Sequence, residues 1–135
     1  MPVLWKIRCY RSTRGVDEVR KWYDGIPTRA QVKFRGRVSF LAQTPRSGWK
    51  REPFDLLTGY DLGEIRFNVG GVEYRPLGFF SPGMTFTIAV GATERDGKFD
   101  PKRAPETAMQ RKEEIESDAS RTCPWPFPLE FQHHP

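Results

Sequence analysis

The residues of this chain that could do chemistry reduce to a few arginines and the acids beside them. No serine or cysteine lies in a nucleophile motif, no glycine-rich phosphate loop is present, and no set of side chains has metal-ligand spacing. The two histidines, His133 and His134, stand at the extreme C-terminus, where terminal flexibility is the better expectation than imidazole catalysis. What remains is Arg66, Arg75 and Arg95, carried on segments that read as strands. Strand alternation puts Arg66 on one face with Glu64, opposite Ile65 and Phe67, and Arg75 with Glu73, opposite Tyr74. Two readings follow. The face is either a solvated surface of Arg–Glu pairs that contribute little, or a set of guanidinium groups arranged for phosphate.

The elements that must position these arginines can be read from periodicity. Val3, Trp5 and Ile7 alternate with Leu4, Lys6 and Arg8, which predicts a first strand. Val16, Val19, Trp22 and Tyr23 recur at helical spacing, with Asp17 and Glu18 at the end where the helix dipole favours negative charge. Gly25 and Pro27 end that helix, and a second starts near Thr28 and stops at Pro45. Its apolar stripe is Ala30, Phe34, Val38 and Leu41; Arg29, Lys33 and Arg37 fall elsewhere. A helical hairpin is expected.

A basic, irregular stretch with Trp49, Lys50, Arg51 and Pro53 follows. Three strands, 62–67, 72–80 and 86–94, are joined by Gly70-Gly71 and Ser81-Pro82-Gly83, so an antiparallel meander is expected. Phe86, Ile88 and Val90 share a face opposite Thr85, Thr87 and Ala89, the pattern of a half-buried sheet. Pro76 cannot donate to a ladder and predicts a local irregularity. Pro105 suits the start of a last helix over 106–117. The fold class is α+β, with residues 1–117 as the domain. Residues 118–135 form a Pro/aromatic tail, either disordered or pinned to the body by Trp125, Phe127 and Phe131.

Composition narrows the function classes. One domain of 135 residues carries 22 Lys and Arg against 17 Asp and Glu, a net charge of +5 that points toward a phosphate-bearing partner. No apolar run is long enough to span a membrane and no signal peptide is evident, so a cytoplasmic chain without membrane contact is expected. Cys9 and Cys123 are expected to be free thiols.

The order of these pieces resembles a known family. Leu62-Gly-Glu-Ile-Arg66, Glu73-Tyr-Arg75, a hydrophobic strand into Val90-Gly91, a basic turn, then Pro101, Ala108 and Arg111-Lys112-Glu113-Glu114-Ile115 resemble the RelE/HigB-like toxins of type II toxin–antitoxin systems, in particular the phage-derived HigB-like branch. The resemblance covers about residues 3 to 116. It implies a small twisted antiparallel sheet against an N-terminal helical hairpin, with a C-terminal helix. It also implies cleavage of messenger RNA on the ribosome by attack of the 2′-hydroxyl on phosphate, with neither metal nor cofactor, and neutralisation by a helix-turn-helix antitoxin. Arg66, Arg75 and Arg95 would be the catalytic cations, and Lys50, Arg51, Lys98 and Phe99 the RNA contacts. Phe99 stands near a position where RelE has tyrosine, and Asp96 and Asp100 read either as acid–base groups or as turn residues. The resemblance leaves open a member that inhibits a protein such as DNA gyrase, as ParE toxins do, or an inactive one that only binds its antitoxin.

Overall fold

In the computed structural model, which describes residues 2–130, the helical hairpin forms as its sequence predicts. Asp17 caps α1 (Glu18–Gly25) by accepting from the Arg20 amide at 2.8 Å. Pro27 precedes α2 (Thr28–Ala42), whose predicted stripe of Ala30, Phe34, Val38 and Leu41 is buried throughout. Further on, α3 (Ala104–Ser117) carries Pro105 in its first turn and buries Ala104 and Ala108.

The strands are more broken than expected, and two of the breaks fall at Arg66 and Arg75. After β1 (Lys6–Tyr10) and β2 (Phe54–Leu57), the first predicted strand divides at Arg66 into β3 (Leu62–Ile65) and β4 (Phe67–Val69). The second divides at Arg75-Pro76 into β5 (Val72–Tyr74) and β6 (Leu77–Ser81), the irregularity that Pro76 predicts. The third divides at Gly91-Ala92 into β7 (Thr85–Val90) and β8 (Thr93–Arg95). A short β9 (Lys98–Asp100) and a C-terminal β10 (Thr122–Pro124) complete the set. Backbone bonds from Ile65 to the Pro76 carbonyl (3.0 Å) and from Arg75 to the Ala92 carbonyl (2.8 Å) hold the three breaks side by side. One bend thus crosses the whole meander. Gly91 is required there, because a Cβ would lie 2.0 Å from the Trp22 ring.

The outcome is two sheets instead of one small antiparallel meander. Six strands run in the order β10-β1-β7-β6-β3-β2, and four in the order β4-β5-β8-β9. The larger sheet is mixed, because β1 pairs in parallel with β7.

Both faces of the larger sheet are covered, which corrects the half-buried expectation. On one face Phe86 and Ile88 join the hairpin helices and a group of rings including Trp5, Trp49 and Phe54. On the other, Leu62, Leu77, Phe79 and Ala89 pack with Ala104 and Ala108 of α3. A register shift between Leu77 and Gly78 lets Val90 turn to the α3 side with Ala89, away from Phe86 and Ile88.

The tail is pinned. Its β10 pairs with β1, setting Cys123 opposite Cys9 as unbonded thiols, and Trp125 donates its amide to the Ile7 carbonyl at 2.9 Å. Phe127 packs on Tyr23 with ring centroids 4.4 Å apart. Glu130 receives Ser39 as a partner for its amide at 2.8 Å. Phe131, His133 and His134 lie outside the described residues.

Candidate nucleic-acid interface

The bend that splits the strands places Arg66 and Arg75 together. Arg66 sits between β3 and β4 and donates its amide to the Pro53 carbonyl at 2.9 Å, tying the loop before β2 to the bend. Its Nη1 donates to Glu64 Oε1 at 2.5 Å. Arg75 is 4% exposed; its Nη1 donates to the Tyr74 carbonyl at 2.8 Å and its Nη2 to the Glu73 carboxylate. Its Nε lies 4.0 Å from Glu64 Oε1, too far for a hydrogen bond, and is buried without a partner.

These side chains form one wall of a cavity of about 450 Å³. Lys33 and Arg37 reach it from α2, and Arg51 and Glu52 from the loop before β2. The α2 wall is fixed by stacking: Phe34 lies 5.4 Å from Phe67 at 15°, and Phe67 lies 4.9 Å from Tyr74 at 5°. A continuous ring stack therefore runs from the helix to the strands that carry the arginines. Five cations line the cavity against the two carboxylates Glu52 and Glu73.

With Glu64 on Arg66 and Asp55 on Arg51 counted beside Glu52 and Glu73, the cations of the site exceed its carboxylates by one. Arg37 is lowered from the usual arginine value by burial, and its Nε also lacks a partner. Burial raises the Glu64 carboxyl above the usual glutamate range, although the hydrogen bond and charge of Arg66 and the charge of Arg75 act against it. The second oxygen of Glu64 is buried and unpaired. Glu73 is shifted the other way, lowered first by the Asn68 amide at 2.6 Å and then by Arg75. Buried N–H donors left unsatisfied cost stability.

The seven residues expected from sequence fall into three places. Arg66, Arg75 and Arg51 share the cavity, with Arg51 also held by Asp55 at 2.8 Å. Lys50 is exposed on the neighbouring loop, outside it. Arg95, Lys98 and Phe99 line a separate depression on the β8–β9 hairpin, with Asp96 and Asp100. The three arginines expected to act together are therefore divided: Arg95 does not join Arg66 and Arg75 in their cavity. Its side chain is 95% exposed and its partner is Asp96, at 3.9 Å. Phe99 is half-buried and packs against the α3 cluster, which limits it as a stacking platform. Asp96 takes a left-handed turn conformation with φ 52°, in keeping with its reading as a turn residue.

Sequence reasoning missed Lys33, Arg37 and Glu52. The first two carried a signal, a basic pair four residues apart on α2 along the border of its apolar stripe. Arg111, part of the family-like series, has a structural role: its Nη1 donates to the Ala89 carbonyl at 2.8 Å, and its guanidinium lies 4.5 Å from the centre of the Tyr10 ring.

No protein family, curated protein or solved structure matches the chain. No helix among the described residues is long and apolar enough to cross a membrane, and no group of His, Cys, Asp and Glu among them could hold a metal ion.

Proposed function

We propose that this chain is the toxin of a toxin–antitoxin pair, a RelE/HigB-like endoribonuclease that cleaves messenger RNA on the ribosome. The observation that carries the reading is the convergence of Arg66 and Arg75 with Lys33, Arg37 and Arg51 on one cavity, where the buried Nε of Arg75 lacks a partner. The arginines hold the scissile phosphate and stabilise the extra charge of its pentacoordinate state. The 2′-oxygen bonds to phosphorus as the bond from phosphorus to the 5′-oxygen breaks. This leaves a 2′,3′-cyclic phosphate and a 5′-hydroxyl, whose proton comes from water. Glu52 takes the proton of the 2′-hydroxyl: it lines the cavity and forms no ion pair among the described residues, whereas Glu73 is engaged by Arg75 and Asn68. A helix-turn-helix antitoxin would silence the protein by covering this basic cavity.

A second reading keeps the fold and drops the chemistry. Because Arg95 and Lys98 stand apart from the cavity, the turn adds no group to it, as a non-nucleolytic member acting on a protein such as gyrase would allow. Induction in bacteria with mapping of messenger RNA 5′ ends separates the two. New ends are expected with the native chain, and none with Arg66→Ala or Glu52→Gln, the latter still binding RNA. Growth arrest without new ends, or with DNA breaks, removes the nuclease reading.

A further inference from the structure

Beside the arginine cavity lies a second depression of about 570 Å³, and the two share Lys33, Arg37 and Glu52. It adds Gly36, Pro53 and Phe40. Lys33, Arg37 and Phe40 follow one another along a single face of α2, so that the shared cations separate a cationic cavity from an aromatic one. Phe40 is 44% exposed, while most of the rings of this chain are packed against one another. Gly36 and Pro53 complete the lining, and the atom nearest to a Cβ built on Gly36 is a Glu130 carboxylate oxygen at 4.0 Å. An exposed ring next to a line of cations is the arrangement by which proteins hold single-stranded nucleic acid, phosphate on the charges and base on the ring.

We propose that this depression is a nucleobase subsite for single-stranded RNA, in which the base neighbouring the bound phosphate stacks on Phe40 while Arg37 contacts the phosphate between the two cavities. The inference rests on the function proposed above and extends it, because it makes α2 part of the substrate path. Recognition by stacking tolerates any base. The subsite therefore sets the register of the RNA on the protein and leaves sequence preference to other contacts.

The test uses the full chain and a fluorescein-labelled RNA hexanucleotide, 2′-O-methylated throughout so that it cannot be cleaved, with one abasic residue walked along it. Fluorescence anisotropy at low salt should show one position at which the abasic residue weakens binding by about tenfold, the scale of a lost base–aromatic stack. Phe40→Ala should cause a similar loss, Phe40→Trp should restore affinity, and the abasic residue should cost nothing further in the Phe40→Ala protein. Phe40 is exposed, so neither variant threatens folding. A flat abasic scan with Phe40→Ala binding like the native chain, while Arg66→Ala still loses RNA, overturns the subsite and leaves the proposed function standing. Native protein that binds no hexanucleotide overturns the subsite as well, and the mapping of messenger RNA ends in bacteria then decides the proposed function separately.

Discussion

Arg75 and Arg95 are both arginines at strand ends of the same four-stranded sheet, yet their surroundings have almost nothing in common. Arg75 is held by the Tyr74 carbonyl, the Glu73 carboxylate and the nearby charge of Glu64, at a bend to which β3, β6 and β7 all contribute. Arg95 projects from a hairpin into solvent, with its sequence neighbour Asp96 as its ion-pair partner. The difference is one of preparation. A guanidinium fixed before its ligand arrives loses little freedom on binding, whereas an exposed one must be ordered first and is screened by salt. Preorganised charge belongs to the bend; the hairpin offers only net charge.

The sharpest way to break this comparison is to remove each arginine in turn. Arg75→Ala leaves Glu64 buried with only Arg66, so a loss of about 3 kcal/mol is expected, at the low end for breaking a buried ion pair. That corresponds to a fall of about 10 °C in the melting temperature for a domain of this size. Circular dichroism melts will show it; an unchanged melting temperature would mean that the bend does not depend on Arg75.

A second prediction concerns Glu64 and has a definite sign. Its carboxyl is raised in the folded chain, so between the ordinary and the raised value the folded state binds more protons than the unfolded one. Glu64 therefore lowers stability as pH rises through that interval. Glu73, which is lowered, acts oppositely: its contribution is present above the usual glutamate value and is lost as pH falls through the lowered one. Denaturant titrations should show Glu64→Gln gaining stability over the native chain on going from acid to neutral pH, by less than Arg75→Ala loses. A difference independent of pH would show that Glu64 is not strained by burial.

The smallest effect belongs to Arg95→Ala. Stability should change by no more than about 0.5 kcal/mol, as for most surface substitutions. RNA affinity should fall only a few-fold, and the difference should vanish as salt is raised. A loss equal to that of Arg66→Ala in anisotropy titrations would put the hairpin back into the site.

The elements that were legible in the sequence are those whose signals are local. The acids Asp17 and Glu18 at one end, Pro27 and Pro45 as boundaries and the Phe34 stripe placed both hairpin helices. Pro76 marked one strand break because its missing N–H is a property of the residue itself. Gly91 marks its break more weakly, as glycine in a strand pattern signals a bulge or close approach, whereas the break at Arg66 carries no mark and follows from alignment with Pro76 through bonds between strands. The same limit applies to the site. Arg66 and Arg75 could be paired with Glu64 and Glu73 by alternation alone, whereas the place of Lys33 and Arg37 depends on how α2 packs over β4. Nor could alternation reveal that α3 covers the second face of the sheet, or that β1 finds β7 in parallel and β10 beyond it.

The pairing of β1 with β10 has a consequence for the order in which the molecule can be made. Among the described strands β1 is synthesised first and β10 last, yet the outer edge of β1 is closed by β10. Until residues 122–124 have been synthesised, that edge presents unpaired backbone groups, the kind of surface through which chains join one another. The edge of β1 thus stays open from its synthesis until the segment rich in proline and aromatic residues arrives, and that short strand, ending in Pro124, then takes the edge position itself.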